Sequence, residues 1–398
     1  MQPSATYFEY IILCLCLCLG VLSTALASPL YSIYMENWHI STTEIGYAFI
    51  AYMVGVVFSL LFLNGLSAKY GYKKTVMAGL VISILSLAYS ALANSIVHLC
   101  AARFFIGISS GLLSTATIIG LAQKYPFKRK ENAGKISSII TVFGFGLGPL
   151  VGGILADHSQ SPLSTPYWII TAISTVALCA CPLIKYRHMP LTASKQASIW
   201  NIPASPLHKK IFFPCAMTAV CCFGMFSLYA ALAGTFIKAL PVAQSATLTG
   251  FSISIILFIS TFTQLICKSL KEATSMIIGL CLTLFGCMSL MLAQYTHLNV
   301  WLISSILAVG IGHGLCLSPA YYLVGLMTQK EPPAIFSTFL LLGYQGTIWP
   351  VLLSSVLIDH FGIMLSLAVF SLLIFVAAIW ILSHLQSIKH SPLSAAKI

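Results

Sequence analysis

Two side chains in this sequence sit in apolar surroundings where their chemistry demands an explanation. Arg103 lies in VHLCAARFFIG and His313 in GIGHGLCLSP. A guanidinium inside hydrocarbon costs about 3 kcal/mol or more unless it is paired or faces water, which makes an intramembrane Arg a functional candidate. Arg does not deprotonate in proteins, so its role is electrostatic: tuning a neighbour or holding an anion. The acids offer it no relay. Glu9, Glu36, Glu44, Glu131, Asp157, Glu272, Glu331 and Asp359 all fall at the ends of apolar runs or between them. His313, between Gly312 and Gly314, has an unperturbed pKa of about 6.5 that suits a proton carrier. A histidine hydrogen-bonded to a neighbouring carbonyl or hydroxyl is the other reading of the same residue.

A third feature is GFGLGPLVGG. Gly144, Gly148, Gly152 and Gly153 are spaced so that a helix would gather them near one face. In lipid, such bare faces let backbones approach and slide. Pro149 removes a backbone donor and softens the segment. The stretch is read as a hinge face. Tyr229, Tyr344, Gln345 and Trp349, with Tyr321 and Tyr322, are candidates for lining a cavity, since aromatics with a few polar groups suit amphiphilic ligands. The same residue types also serve packing and the membrane boundary.

The elements that hold these residues are membrane spans. The 398 residues are 59% hydrophobic and 7% charged, with a mean hydropathy of +0.96, which excludes a water-soluble domain. Twelve apolar runs are long enough to cross a hydrocarbon core of about 30 Å. The first, about 27 residues without a basic flank, reads as a span and not as a cleaved leader. With both ends on one side, eighteen of the twenty Lys and Arg fall on that side, the exceptions being Arg103 and Lys238. That bias makes the termini cytoplasmic and the surplus positive charge a topology signal, not a nucleic-acid surface. The thirteen cysteines, all in or beside spans, read as small apolar filler without metal-ligand spacing.

The spans are expected at about 8–34, 43–67, 76–93, from 96 to the basic loop near 124, through the glycine stretch to 157, and 167–184. After a proline-bearing connection they resume at 211–236, 248–267, 274–294, 300–327, 334–358 and 363–384. Arg103 would lie about seven residues, roughly 10 Å, from the outer end of span 4. Short motifs recur between the halves. Gly107-Ile108 with Gly111-Leu112 returns as Gly310-Ile311 with Gly314-Leu315, Cys18-x-Gly20 as Cys222-x-Gly224, and Asp157-His158 as Asp359-His360, at offsets of 202 to 204. A parallel repeat implies an all-α membrane protein of twelve transmembrane helices, in two pseudo-symmetric six-helix bundles around a central cavity. The expected division is 1–184, a cytoplasmic linker 185–210, 211–384, and a polar tail 385–398.

With these residues in place, the chain resembles the major facilitator superfamily, and in particular its twelve-span drug:proton antiporters. The family's antiporter motif GxxxGPxxGG is complete at Gly144, Gly148, Pro149, Gly152 and Gly153, and its fourth-span Arg and Gly appear as Arg103 and Gly107. The loop motif between spans 2 and 3 is partial. NGLSAKYGYKKTV keeps Leu66, Lys69, Gly71, Lys73 and Val76, with Lys74 beside them, but has Asn64 for the first glycine and Ala68 for the acid. The resemblance implies gating at this loop, and the missing acid puts that in doubt.

The expected function is therefore proton-coupled export of small amphiphilic molecules by alternating access. Arg103 would take the electrostatic role, His313 the titrating role and the span 5 glycines the hinge. A cavity with one Arg, one His and no carboxylate favours neutral or anionic compounds over lipophilic dications. The alternative is a selective carrier for one metabolite, such as an organic anion, siderophore or amino-acid derivative. The expected partners are substrate, protons and membrane lipid, with no nucleic acid, no cofactor and no metal. The resemblance implies a monomer, in a membrane that would be the bacterial inner membrane. Ser/His/Asp groupings and phosphate-binding loops are missing from the sequence, which argues against an enzyme or ATP-driven transport.

Overall fold

In hydrocarbon every backbone N–H and C=O needs a partner within its own segment, so apolar runs of this length become helices. The computed structural model describes residues 3–63, 65–126, 132–185, 201–241, 244–267, 270–328 and 334–389. Among them there is no strand, and twelve helical segments are long and apolar enough to cross a membrane. These are span 1 (Tyr7–Trp38), span 2 (Thr42–Leu63), span 3 (Tyr72–Ala91), span 4 (Ile96–Lys124), span 5 (Ile136–Asp157) and span 6 (Thr165–Leu183). The second set is span 7 (Pro206–Lys238), span 8 (Ala246–Ile266), span 9 (Glu272–Thr296), span 10 (Asn299–Met327), span 11 (Ala334–Phe361) and span 12 (Ile363–Leu385).

Several boundaries differ from the expected ones. Span 1 is not one helix. An α-helix from Pro3 to Ala25 gives way to a 3-10 turn, Ser28–Leu30, and a second helix, Tyr31–Trp38. Pro29 has no N–H for the helical ladder and its ring opposes the preceding turn, so the helix stops before it. Span 7 begins at Pro206, earlier than expected, because proline suits the first helical position and Ser205 precedes it. The linker thus ends at Ser205, and its residues 186–200 lie outside the described set. The helix of span 12 continues to Lys389, so residues 385–389 are not an irregular tail; 390–398 lie outside the described residues, as do Asn64, Glu131 and Glu331.

The structure divides into two compact units. One comprises 1–195 with 245–254, and the other 196–244 with 255–398, so span 8 starts in the first unit and ends in the second. In the first, span 4 packs on span 2 through Gly107 and Gly111, which face the Tyr52 carbonyl and Ser59. In the second, span 10 packs on span 8 through Gly310 and Gly314, against Ile259 and Ser260. The recurring glycine pair therefore does the same job twice, replacing side chains with backbone contact. The other glycine echo does not. Gly20 faces Leu113 on span 4, whereas Gly224 faces the Gly346 carbonyl on span 11.

Candidate functional site

The break in span 1 is where the first unit's special residues meet. A helix leaves its last carbonyls without partners. The Arg103 NH1 group donates to one of them, the Thr24 carbonyl, at 2.6 Å. Arg103 is 0% exposed, and its guanidinium carbon lies 4.6 Å from the centre of the Tyr52 ring on span 2, a cation–π arrangement strengthened by the lack of water. The hydroxyls of Tyr31, Tyr34 and Tyr167 also lie within the field of this charge. No carboxylate pairs with it among the described residues. Its Nε and NH2 complete no well-formed hydrogen bond there, and the Tyr31 hydroxyl lies beside the guanidinium. A buried cation held by one carbonyl and one aromatic face thus keeps donor capacity for an acceptor.

The span 5 glycines close on the same segment. A Cβ at Gly144 would stand 2.9 Å from the Cys18 carbonyl oxygen and one at Gly148 2.6 Å from that of Leu22, while Gly152 abuts the Leu26 carbonyl. Gly153 does not join them. It faces the Ala246 carbonyl at the start of span 8, one residue being 100° around the helix from its neighbour. The expected single face is therefore two faces. On that second side the Pro149 carbonyl fills the space beside Gly250, and the helix stays continuous through Pro149. Asp157 caps span 8, its two oxygens accepting from Ala246 N at 3.0 Å and Thr247 N at 2.8 Å, a charge placed well for a helix N-terminus.

The loop residues separate by role. Gly71 joins the short helix Leu66–Tyr70 to span 3 at φ +85°, a conformation glycine adopts without strain. Lys73 donates to the Pro182 and Ile184 carbonyls, at 2.9 and 2.7 Å, tying span 3 to the end of span 6. Lys69 lies 5.1 Å from the Tyr70 ring centre, and Lys74 is exposed. Beside them is a cluster that the sequence does not announce. Glu9, 5% exposed, pairs with Lys124 at 2.6 Å and accepts from Lys185 N, while Lys124 also donates to the Lys185 carbonyl.

In the second unit His313 is buried on span 10, and its Nδ1 lies 2.8 Å from the Ser260 hydroxyl of span 8. Gln264, one turn along, donates to that hydroxyl at 3.2 Å. Phe223 and Phe226 of span 7 pack around the imidazole, and Tyr344 stacks on Phe223 with ring centres 5.8 Å apart. Tyr229 is 1% exposed, with its hydroxyl donated to Ser305, so it belongs to the packing of spans 7 and 10 and offers no open face. Gln345 and Trp349 bond to each other through Trp349 Nε1 at 3.0 Å, and Trp349 is 63% exposed. His313 and Tyr344 thus form one cluster, and Tyr229, Gln345 and Trp349 are not part of it.

The comparisons with known proteins bear on this arrangement of spans and glycines. The family model described as Major Facilitator Superfamily matches residues 13–345. The chain belongs to the major facilitator superfamily. Within it, the chain is 24% identical over 258 residues to the "Quinolone resistance protein NorA" of Staphylococcus aureus (strain MRSA252), covering 64% of this chain and 66% of that one. It is 24% identical over 224 residues to the "Multidrug resistance protein 2" of Bacillus subtilis (strain 168), covering 54% and 55%. To the "Riboflavin transporter RibZ" of Clostridioides difficile (strain 630) it is 22% identical over 176 residues, covering 42% and 39%. These matches span less than two thirds of each relative's length. Among solved structures, a bacterial homologue of the human lysosomal transporter Spinster, inward-facing and unoccupied, superimposes with a TM-score of 0.73 at 12% identity, covering 98% of this chain and 100% of that one. The nucleoside transporter NupG gives 0.73 at 16%, covering 96% and 99%. At such identities the likeness is one of fold. The protein is a multi-pass membrane transporter of this superfamily, with relatives named for quinolone and multidrug resistance, and not an enzyme.

Proposed function

We propose that this superfamily member exports small amphiphilic molecules, neutral or anionic, by proton-coupled alternating access. The observation that carries the reading is the seating of three span 5 motif glycines, Gly144, Gly148 and Gly152, on the broken helix of span 1, beside a buried Arg103 that keeps donor capacity. Gly144, Gly148 and Gly152 let span 5 shift on span 1 without side-chain clashes, which is what a hinge face needs. Gly153 and Gly250 serve span 8 in the same way. Arg103, permanently charged, biases the states that bind an anion or lose a proton, and His313 is the group that titrates. A ligand moves such an equilibrium only through unequal affinity for the two states. The drug-resistance names of two relatives support efflux of unrelated compounds. The arginine and lysine distribution supports cytoplasmic termini in a bacterial inner membrane, and the resemblance supports a monomer.

The alternative, a selective carrier for one metabolite, is favoured by one observation: all eight acids sit at span ends or in loops. The name of the relative called a riboflavin transporter fits that kind of activity. One experiment separates the two. Efflux-deficient bacteria expressing the protein are loaded with a chemically mixed panel of fluorescent amphiphiles, with and without a protonophore. Lowered accumulation of several unrelated compounds, restored by the protonophore, is the expected result. No change across the panel would overturn the proposal in favour of a single metabolite.

A further inference from the structure

The second unit contains a cavity that neither the repeat nor the family motifs account for. It has a volume of about 240 Å3 and lies among spans 8, 9 and 10, with Gln264, Cys267, Glu272, Ser275, Ser318 and Tyr322 in its wall. That is room for several waters at about 30 Å3 each, and the wall is polar enough to hold them. Cys267 and Leu270 place its rim at the loop between spans 8 and 9, which the charge bias puts on the cytoplasmic side. Glu272 opens span 9 and is 5% exposed, so this carboxylate is buried where a helix N-terminus favours its charge.

The cavity leads to His313. Gln264 is in its wall and donates to the Ser260 hydroxyl at 3.2 Å, and that hydroxyl lies 2.8 Å from His313 Nδ1. Gly314, next to the histidine, is in the wall as well. We propose that this cavity is the port through which His313 exchanges its proton with the cytoplasm. The inference rests on the titrating role given to His313 above. Ser260 stands one hydrogen bond behind the wall, so in the release step the imidazolium passes its Nδ1 proton to Ser260 Oγ while the hydroxyl gives its own proton to a water that enters from the cavity beside Gln264. Glu272 then accepts a proton from that water or passes it to bulk solvent. One proton leaves the imidazole, and Ser260 ends as it began. Gln264 is a positioning residue, since its amide fixes the serine oxygen.

The surroundings of the histidine supply no competing charge. Span 7 presents Phe223 and Phe226 to the ring, span 8 presents Ser260, and span 11 presents Tyr344 beyond Phe223. Cys222 and Cys316 lie near one another on spans 7 and 10. Among the described residues, no acidic or basic side chain forms an ion pair with the imidazole. Among the described residues around the cavity the titratable groups are Glu272, Cys267 and Tyr322, with Lys271 at its edge.

Two measurements test the port. In inside-out vesicles, a charged, membrane-impermeant thiosulfonate should modify Ser318→Cys, read by mass spectrometry, and leave the exposed Cys281 of span 9 unmodified. A Ser318→Cys chain that stays unmodified would overturn the water-filled cavity. The second measurement is amphiphile movement in the same vesicles under an imposed pH gradient. Between pH 6 and pH 8 the rate should vary roughly tenfold or more, as expected for a step limited by a positioned proton donor. Glu272→Gln, Ser260→Ala and Gln264→Leu should each flatten that dependence, as His313→Gln does, and Glu272→Asp should restore it. If His313→Gln flattens the profile and the Glu272, Ser260 and Gln264 variants do not, the port is wrong and the role of His313 stands. If His313→Gln itself changes nothing, the reading of the site falls, and the port with it.

Discussion

Arg103 and His313 place polar groups in apolar surroundings in opposite ways. Arg103 sits seven residues into span 4, its guanidinium shared between a carbonyl freed by the break in span 1 and the face of Tyr52. His313 lies fourteen residues into span 10, around its middle, with one hydroxyl partner and aromatic walls. The first needs backbone that has left the helix, because a fixed charge must be met by fixed dipoles. The second leaves the helix of span 10 continuous, because its hydrogen-bond partner is a side chain, the Ser260 hydroxyl, and no backbone group has to leave the ladder. Under the proposed function, the group that sets the electrostatic bias is separate from the group that changes it.

Breaking the first of these should do most. Arg103→Ala leaves the Thr24 carbonyl and the Tyr52 face without their cation, and should cut protonophore-sensitive efflux by roughly a hundredfold, equal to about 3 kcal/mol. Arg103→Lys should recover little, since an ammonium lacks the planar stacking surface. Vesicle transport with expression checked by immunoblot measures both. Next comes Gly148→Leu, whose side chain would displace the Leu22 carbonyl. Overpacking of this kind costs about 1–3 kcal/mol, seen as a lower melting temperature in detergent together with lost efflux. Gly346→Leu is its partner in the comparison, since Gly346 abuts the Val220 carbonyl on span 7. It should lower the melting temperature by a similar amount and reduce efflux less, if the hinge belongs to span 5. Equal losses of efflux would spread the hinge over both halves.

His313→Gln should act differently from either. It keeps a hydrogen-bonding side chain that does not take up a proton, so the initial rate of efflux should lose the pH dependence that the unaltered protein shows. Smallest is Lys73→Ala, which removes two bonds to the end of span 6. It should cost about 1 kcal/mol of stability, while exposed Lys74→Ala stays within about 0.5 kcal/mol. Thermal melts of the purified protein decide this pair.

The span count was legible because each apolar run exceeds what a core helix needs. The repeat of Gly107 and Gly111 at Gly310 and Gly314 was legible for the same kind of reason, since bare faces leave gaps that only small residues fit. What lay hidden depends on backbone or on distant partners. The break in span 1 spans three residues inside an apolar stretch of 32, and Ser28-Pro29 was its only sign. The partner of Arg103 is a carbonyl, which has no residue type to read. Gly153 was placed with the other glycines because counting by fours hides the 100° step between Gly152 and Gly153. The cavity beside His313 combines residues of three spans, and none of its members is unusual alone.

The Glu9, Lys124, Lys185 and Lys73 cluster carries a consequence for how the chain is made. All of its partners precede residue 186. One end of spans 1, 3, 4 and 6 can therefore lock as soon as span 6 has left the ribosome, before any of the second six is synthesised. The nascent chain then carries four tied helices, and only the arrival of the first turns of span 8 completes the first unit.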